Sequence, residues 1–84
     1  MNIDIYGPGC ANCRRLEQQM RDALANLGMQ AEVQKVEEVV SITEAGVMRT
    51  PALAINGQLV LQGRVPGIRE LEYIIKKAQQ LPEA

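Results

Sequence analysis

The apolar positions of this chain fall into short alternating runs and longer helical stripes, and their order lays out an architecture. Ile3 and Ile5 alternate with Asp4 and Tyr6, so Asn2 to Tyr6 reads as a short strand. Gly7-Pro8-Gly9 then breaks regular structure and lets the backbone turn sharply. From Ala11 to Leu27 the residues Leu16, Met20, Ala23, Leu24 and Leu27 recur at helical spacing, and Gly28 stands where a C-terminal cap belongs. Extending the stripe backwards puts Cys13 on the buried face and leaves Cys10 at the helix start, beside the loop. The spacing predicts one exposed sulfur and one sheltered sulfur.

Ala31 to Val36 is a second short strand. A helix between two strands within about 30 residues is a β-α-β unit, whose strands run parallel with a right-handed crossover. Glu37 to Gly46 carries a short helix signal; Ser41 and Glu44 have the spacing of a capping box, and a start nearer Glu38 fits equally well. Val47 to Pro51 leads into Ala52 to Ile55, then Asn56-Gly57, then Gln58 to Gln62. Asn-Gly between two apolar runs is the strongest short-range hairpin signal. Gly63 to Gly67 reads as a loop. The last helix, about Ile68 to Leu81, places Ile68, Leu71, Ile74, Ile75, Ala78 and Leu81 on one face. Glu70 and Glu72 near its start and Lys76 and Lys77 near its end suit the helix dipole. The order is β-α-β-α-β-β-α, an α/β arrangement without repeat, linker or low-complexity segment.

Composition narrows what such a chain can do. At 84 residues there is room for one domain, expected to span residues 1–84, with one thin core. Apolar residues make up 46% and charged residues 23%, an ordinary soluble mixture, and the net charge is −1. Phe and Trp are absent and only Tyr6 and Tyr73 are aromatic, so nucleic acid is not an expected partner. With no histidine there is no Ser-His or Cys-His pair and no histidine-bearing zinc site. No charged-then-apolar leader opens the chain, and no apolar run approaches the roughly 20 residues of a membrane span. The expected compartment is the cytoplasm, where a close cysteine pair is more often catalytic or metal-binding than a structural staple.

Cys10 and Cys13 are the only cysteines. A C-x-x-C where a strand turns into a helix suits redox chemistry or soft-metal binding. A bridge this local would restrain little of the unfolded chain, which argues against a purely structural disulfide. Cys10, at the helix N-terminus, would gain from the dipole and from unsatisfied N–H groups that favour a thiolate.

Three features coincide: the C-x-x-C closing the first β-α loop, Thr50-Pro51 opening the third strand, and the β-α-β plus β-β-α order. Together they resemble the thioredoxin-like superfamily, and more narrowly its small redox-active disulfide proteins of bacteria and archaea, which carry Tyr-Gly-x-Gly-Cys-x-x-Cys. The resemblance covers essentially the whole chain. It implies a mixed four-stranded sheet in the order 2-1-3-4 with helices on both faces, and a cis peptide before Pro51. It also implies thiol–disulfide exchange, with Cys10 as nucleophile, Cys13 as resolving thiol and the pair able to close as a disulfide. Pro51 would cover the sulfurs, the backbone of Thr50 would pair with an extended substrate strand, and Ala11 and Asn12 would flank it. Asp4 lies six residues before Cys10, the offset at which thioredoxins keep a buried carboxylate that takes the proton of the second cysteine. Lys35 is its expected charge partner, and a solvated Asp4 at a strand end is the competing placement.

The expected partners are a disulfide-bearing protein substrate and an electron-donating reductase or small thiol. No cofactor beyond the dithiol, no metal, no membrane contact and a monomeric state complete the expectation. Arg64 and Thr50 are candidate glutathione contacts, and Arg14 and Arg15 lie in the first turn near the dithiol. The chain departs from thioredoxins in having Ala11-Asn12 where they carry Gly-Pro, and in lacking the tryptophan before the first cysteine. Many glutaredoxins have Pro-Tyr between the cysteines, where this chain has Ala11-Asn12. The alternative from another class is a Cu(I)-type soft-metal protein using the same dithiol. Those domains follow a β-α-β-β-α-β order ending in a strand and carry Gly-Met ahead of the pair, where this chain has Pro8-Gly9.

Overall fold

A computed structural model describes residues 1–80 of the chain. It contains β1 (Asn2–Tyr6), α1 (Ala11–Asn26), β2 (Glu32–Val36), α2 (Val39–Glu44), β3 (Ala52–Ile55), β4 (Gln58–Gln62) and α3 (Ile68–Gln80). The expected helix position Leu81 lies outside the described residues. The four strands form one sheet in the order β2-β1-β3-β4. β1 runs parallel to β2 and antiparallel to β3, and β3 and β4 form an antiparallel hairpin.

Strand alternation decides what each face carries. Ile3 pairs with Ile55 and Val33, and Ile5 with Leu53 and Lys35, so these side chains share one face. Asp4 and Tyr6 stand on the other face with Ala54, Ala52 and Gln34. The core fills the first face: Ile3, Ile5, Leu53, Ile55 and Leu61 of the sheet pack with Leu16, Met20, Ala23 and Leu24 of α1 and with Leu71 and Ile75 of α3. α1 and α3 lie against each other over this face. Ile3, Leu16, Met20, Leu53, Leu71 and Ile75 are almost entirely shielded from solvent.

α1 stops where the sequence says it should, and by a defined mechanism. Gly28 takes a φ of +66°, the Met29 N–H donates to the Leu24 carbonyl at 3.0 Å, and the Gly28 N–H donates to the Ala25 carbonyl at 3.1 Å. That is the paired bonding of a Schellman cap, which glycine reaches without steric cost. α2 begins at Val39 with Glu38 as its N-cap and no side-chain cap bond, so of the two starts the sequence allows the one near Glu38 is taken, and Ser41 lies inside the helix without forming a capping box. Ile42 is the buried residue of this helix. In the hairpin turn Asn56 and Gly57 both have positive φ, 51° and 83°, as a two-residue primed turn requires. Asn56 also accepts the Asn2 N–H on its side-chain oxygen at 2.9 Å and donates its own N–H to the Asn2 carbonyl at 2.7 Å. No helix among the described residues is long and apolar enough to cross a membrane.

Candidate active site

The two cysteines meet at the junction of β1 and α1. Cys10 is the N-cap of α1, with extended backbone angles, and its Sγ accepts the Cys13 N–H at 3.3 Å. Helix geometry brings the two Cα atoms to 5.1 Å and the sulfurs are bonded as a disulfide. Cys10 is exposed, whereas Cys13 is only 6% exposed and continues the buried stripe of Leu16, Met20 and Leu24. The sulfur asymmetry expected from the spacing is therefore present.

What makes room for the sheltered sulfur is Gly7. This buried glycine ends β1, donating its N–H to the Val36 carbonyl at 3.0 Å. A Cβ at this position would collide with Cys13 Sγ and lie 3.1 Å from Cys13 Cβ. In the sequence Gly7 reads as a turn former and as part of the Tyr-Gly-x-Gly-Cys signature; the close approach depends on how α1 sits over the strand end, which no spacing rule reports.

The Thr50–Pro51 peptide is cis, and Thr50 Cβ lies on the same side of Gly7 as Cys13, 3.9 Å from where a Gly7 Cβ would stand. Pro51 is buried and Thr50 is exposed. Among the described residues no hydrogen bond engages the Thr50 backbone N–H or carbonyl. Ala11 and Asn12, between the cysteines, are both exposed. Arg14 donates to the Gly9 carbonyl at 2.9 Å, tying its guanidinium to the loop before the dithiol. Arg15 is exposed in the same turn.

Behind Cys13 lies a cleft of about 180 Å³ lined by Ile5, Gly7, Gly9, Cys13, Arg14, Lys35 and Glu37. Asp4 is not among its walls. The carboxylate of Asp4 sits half-buried on the opposite face of the sheet, where its negative charge and, more strongly, burial raise the pKa of the Tyr6 phenol. Lys35 is not its charge partner: paired with Ile5, it projects from the α1 face and meets Glu17 at 3.7 Å. The one-residue offset between Gln34 and Lys35 puts them on opposite faces. Glu37, which belongs to no motif in the sequence, is the carboxylate that reaches this cleft; its Oε2 lies 3.0 Å from where a Gly9 Cβ would stand. Arg64 is engaged elsewhere, in a two-pronged pair with Glu70 at 3.0 and 2.6 Å that holds the Glu70 carboxyl below its usual range.

A sheet ordered 2-1-3-4, a disulfide across the first helical turn and a cis-proline loop beside it define a thioredoxin-like thiol–disulfide oxidoreductase. Comparison with known proteins agrees. The chain matches the thioredoxin domain family over residues 1–76. It is 45% identical over 75 residues to a thioredoxin of Methanothermobacter thermautotrophicus, covering 89% of this chain and 97% of that one. It is 34% identical over 74 residues to a thioredoxin of Methanocaldococcus jannaschii, covering 88% of this chain and 85% of that one. The chain belongs to the thioredoxin domain family.

Proposed function

We propose that this protein reduces disulfides of protein substrates through the Cys10–Cys13 couple, acting in the cytoplasm as a monomeric single domain of residues 1–84. The observation that carries the reading is the unequal exposure of the two sulfurs at the N-terminus of α1. In the reduced protein, the Cys13 N–H and the positive end of the 16-residue helix favour negative charge on Cys10 Sγ. The Cys10 thiolate attacks one sulfur of the substrate disulfide; that S–S bond breaks and the other substrate sulfur leaves as a thiolate. Cys13 then loses its proton and attacks Cys10 Sγ in the mixed disulfide. The second substrate thiolate departs, and the two electrons of the dithiol have passed to the substrate. A reductase or small thiol restores the dithiol, and no organic cofactor is required.

The exposed Thr50 backbone supports docking of an extended substrate segment beside Pro51, with Ala11 and Asn12 on its flank. Two carboxylates compete for the Cys13 proton: Asp4, the candidate by sequence offset, and Glu37, which lines the cleft beside Cys13. Comparing the pH profiles of Asp4→Ala and Glu37→Gln separates them, because only loss of the true acceptor displaces the limb governed by Cys13.

The deciding experiment is a redox titration of the Cys10–Cys13 couple against glutathione, run beside an insulin-reduction assay. Formation of an intramolecular disulfide with catalysed insulin reduction is expected. Failure to form that disulfide, with tight Cu(I) binding by the reduced protein, would replace this reading with the metal-binding one.

A further inference from the structure

The loop before the cis peptide is exposed and has little packing to hold it. Met48 is 86% exposed, and Arg49 and Thr50 are exposed as well. Its shape comes instead from the end of β4. The Gln62 side-chain oxygen accepts two backbone N–H groups at once, from Met48 at 2.8 Å and from Arg49 at 3.1 Å. The next residue supplies a third tie, the Gly63 N–H donating to the Pro51 carbonyl at 2.8 Å. Gly63 has a φ of +80°, and the Arg49 side chain lies so close over it that a Cβ would stand 2.9 Å from Arg49 Cδ. The loop is thus clasped on both sides of Thr50, by Gln62 before it and by Gly63 after it. Among the described residues, the Thr50 N–H and carbonyl are the groups left over.

We infer that Gln62 is a positioning residue for substrate docking: its oxygen fixes the backbone immediately before Thr50, so that the unpaired groups of Thr50 face an incoming strand. This rests on the docking reading proposed above. A carbonyl oxygen has two lone pairs, so one side chain can satisfy both N–H groups, and an amide or carboxylate at this position serves equally. A thioether does not. Gln62 touches neither sulfur, so its effect falls on how well an extended substrate is held and leaves the exchange step alone.

The test uses the full chain with dithiothreitol as reductant and insulin as substrate. Gln62→Met keeps the side-chain volume and removes the acceptor; Gln62→Glu keeps the acceptor. Gln62→Met should raise the KM for insulin about tenfold with kcat nearly unchanged, the scale of losing one to two net hydrogen bonds. Gln62→Glu should stay within about twofold of the parent, and amide hydrogen exchange of Met48 and Arg49 should quicken in the methionine variant alone. Unchanged exchange at both amides in Gln62→Met overturns the clasp, and equal losses in the Met and Glu variants overturn the acceptor role.

The docking reading is checked separately, by trapping a Cys13→Ser protein as a mixed disulfide with a cysteine-containing peptide and measuring exchange at the Thr50 amide. No protection there defeats docking itself. Protection there, with a parental KM in Gln62→Met, defeats only the role given to Gln62.

Discussion

Replacing Gly7 with alanine tests the idea that the dithiol is seated in a space kept free by a missing side chain. Gly7 is buried and its φ lies outside the left-handed region, so alanine meets no backbone penalty and the effect is steric. The new methyl would collide with Cys13 Sγ, approach Cys13 Cβ to 3.1 Å and meet Thr50 Cβ at an ordinary 3.9 Å. Cys13 is fixed on the first turn of α1, whose stripe is locked into the core, so relief of the collision requires the sulfur to leave its present rotamer or the helix end to move. Overpacking of this kind costs about 1–3 kcal/mol. A 2 kcal/mol loss corresponds to roughly 8–16 °C in Tm for a domain of this size.

The assay is urea unfolding under reducing conditions, so that no disulfide contributes, for Gly7→Ala, Cys13→Ala and the double variant. Removing the sulfur leaves only the tight but adjustable 3.1 Å contact. The methyl should then cost far less in the Cys13→Ala background, giving a coupling of about 1 kcal/mol or more. Equal costs in both backgrounds, or a Gly7→Ala cost below about 0.5 kcal/mol, would refute the account.

The Tyr6 phenol is held above its ordinary value by burial first and by Asp4 second. Its contribution to stability is complete below the unfolded-state value and is lost as pH rises through the folded-state one. Asp4→Asn should therefore move the ultraviolet phenolate titration only part of the way down, and an unmoved curve would contradict the assignment. Asn56→Ala removes the acceptor of the Asn2 N–H and places alanine at a φ of 51°, so unfolding should show a loss of about 1–3 kcal/mol. Asn56→Gly should lose less, and a larger loss for glycine would argue against backbone strain. Arg64→Gln should leave reduction of glutathione disulfide unchanged, because Arg64 is held by Glu70; a large fall would make Arg64 a ligand for the glutathione carboxylate.

The parts of the fold that sequence could announce are those with a period or a local signature. The stripe from Cys13 to Leu24 has helical spacing, and it alone foretold which sulfur would be sheltered. Asn56-Gly57 marked the hairpin because few residue pairs accept two consecutive positive φ values. The start of α2 is legible only as a choice between Glu38 and Ser41, since a six-residue helix with one buried side chain offers no period to read. Lys35 was assigned to Asp4 because both lie on neighbouring strands, but the face a strand residue takes depends on register, and one residue reverses it. The roles of Gly7, Glu37 and Gln62 are not legible in the sequence for a common reason: each acts through a neighbour brought close only by the finished fold.

One sulfur atom serves two masters in this protein. Cys10 Sγ is the N-cap acceptor of α1 as well as the exposed half of the redox couple. Disarming the site therefore also edits the helix start, and the usual replacements differ in what they edit. Serine brings a hydroxyl oxygen that takes over the Cys13 N–H, whereas alanine leaves that donor to water at a cost of about 1 kcal/mol. Cys10→Ser is thus the faithful inactive control, while capture of partners as mixed disulfides needs Cys13→Ser, and Cys10→Ala confounds lost chemistry with a loosened helix end. Experimenters who treat the two as equivalent blanks would be comparing a capped helix start with an uncapped one.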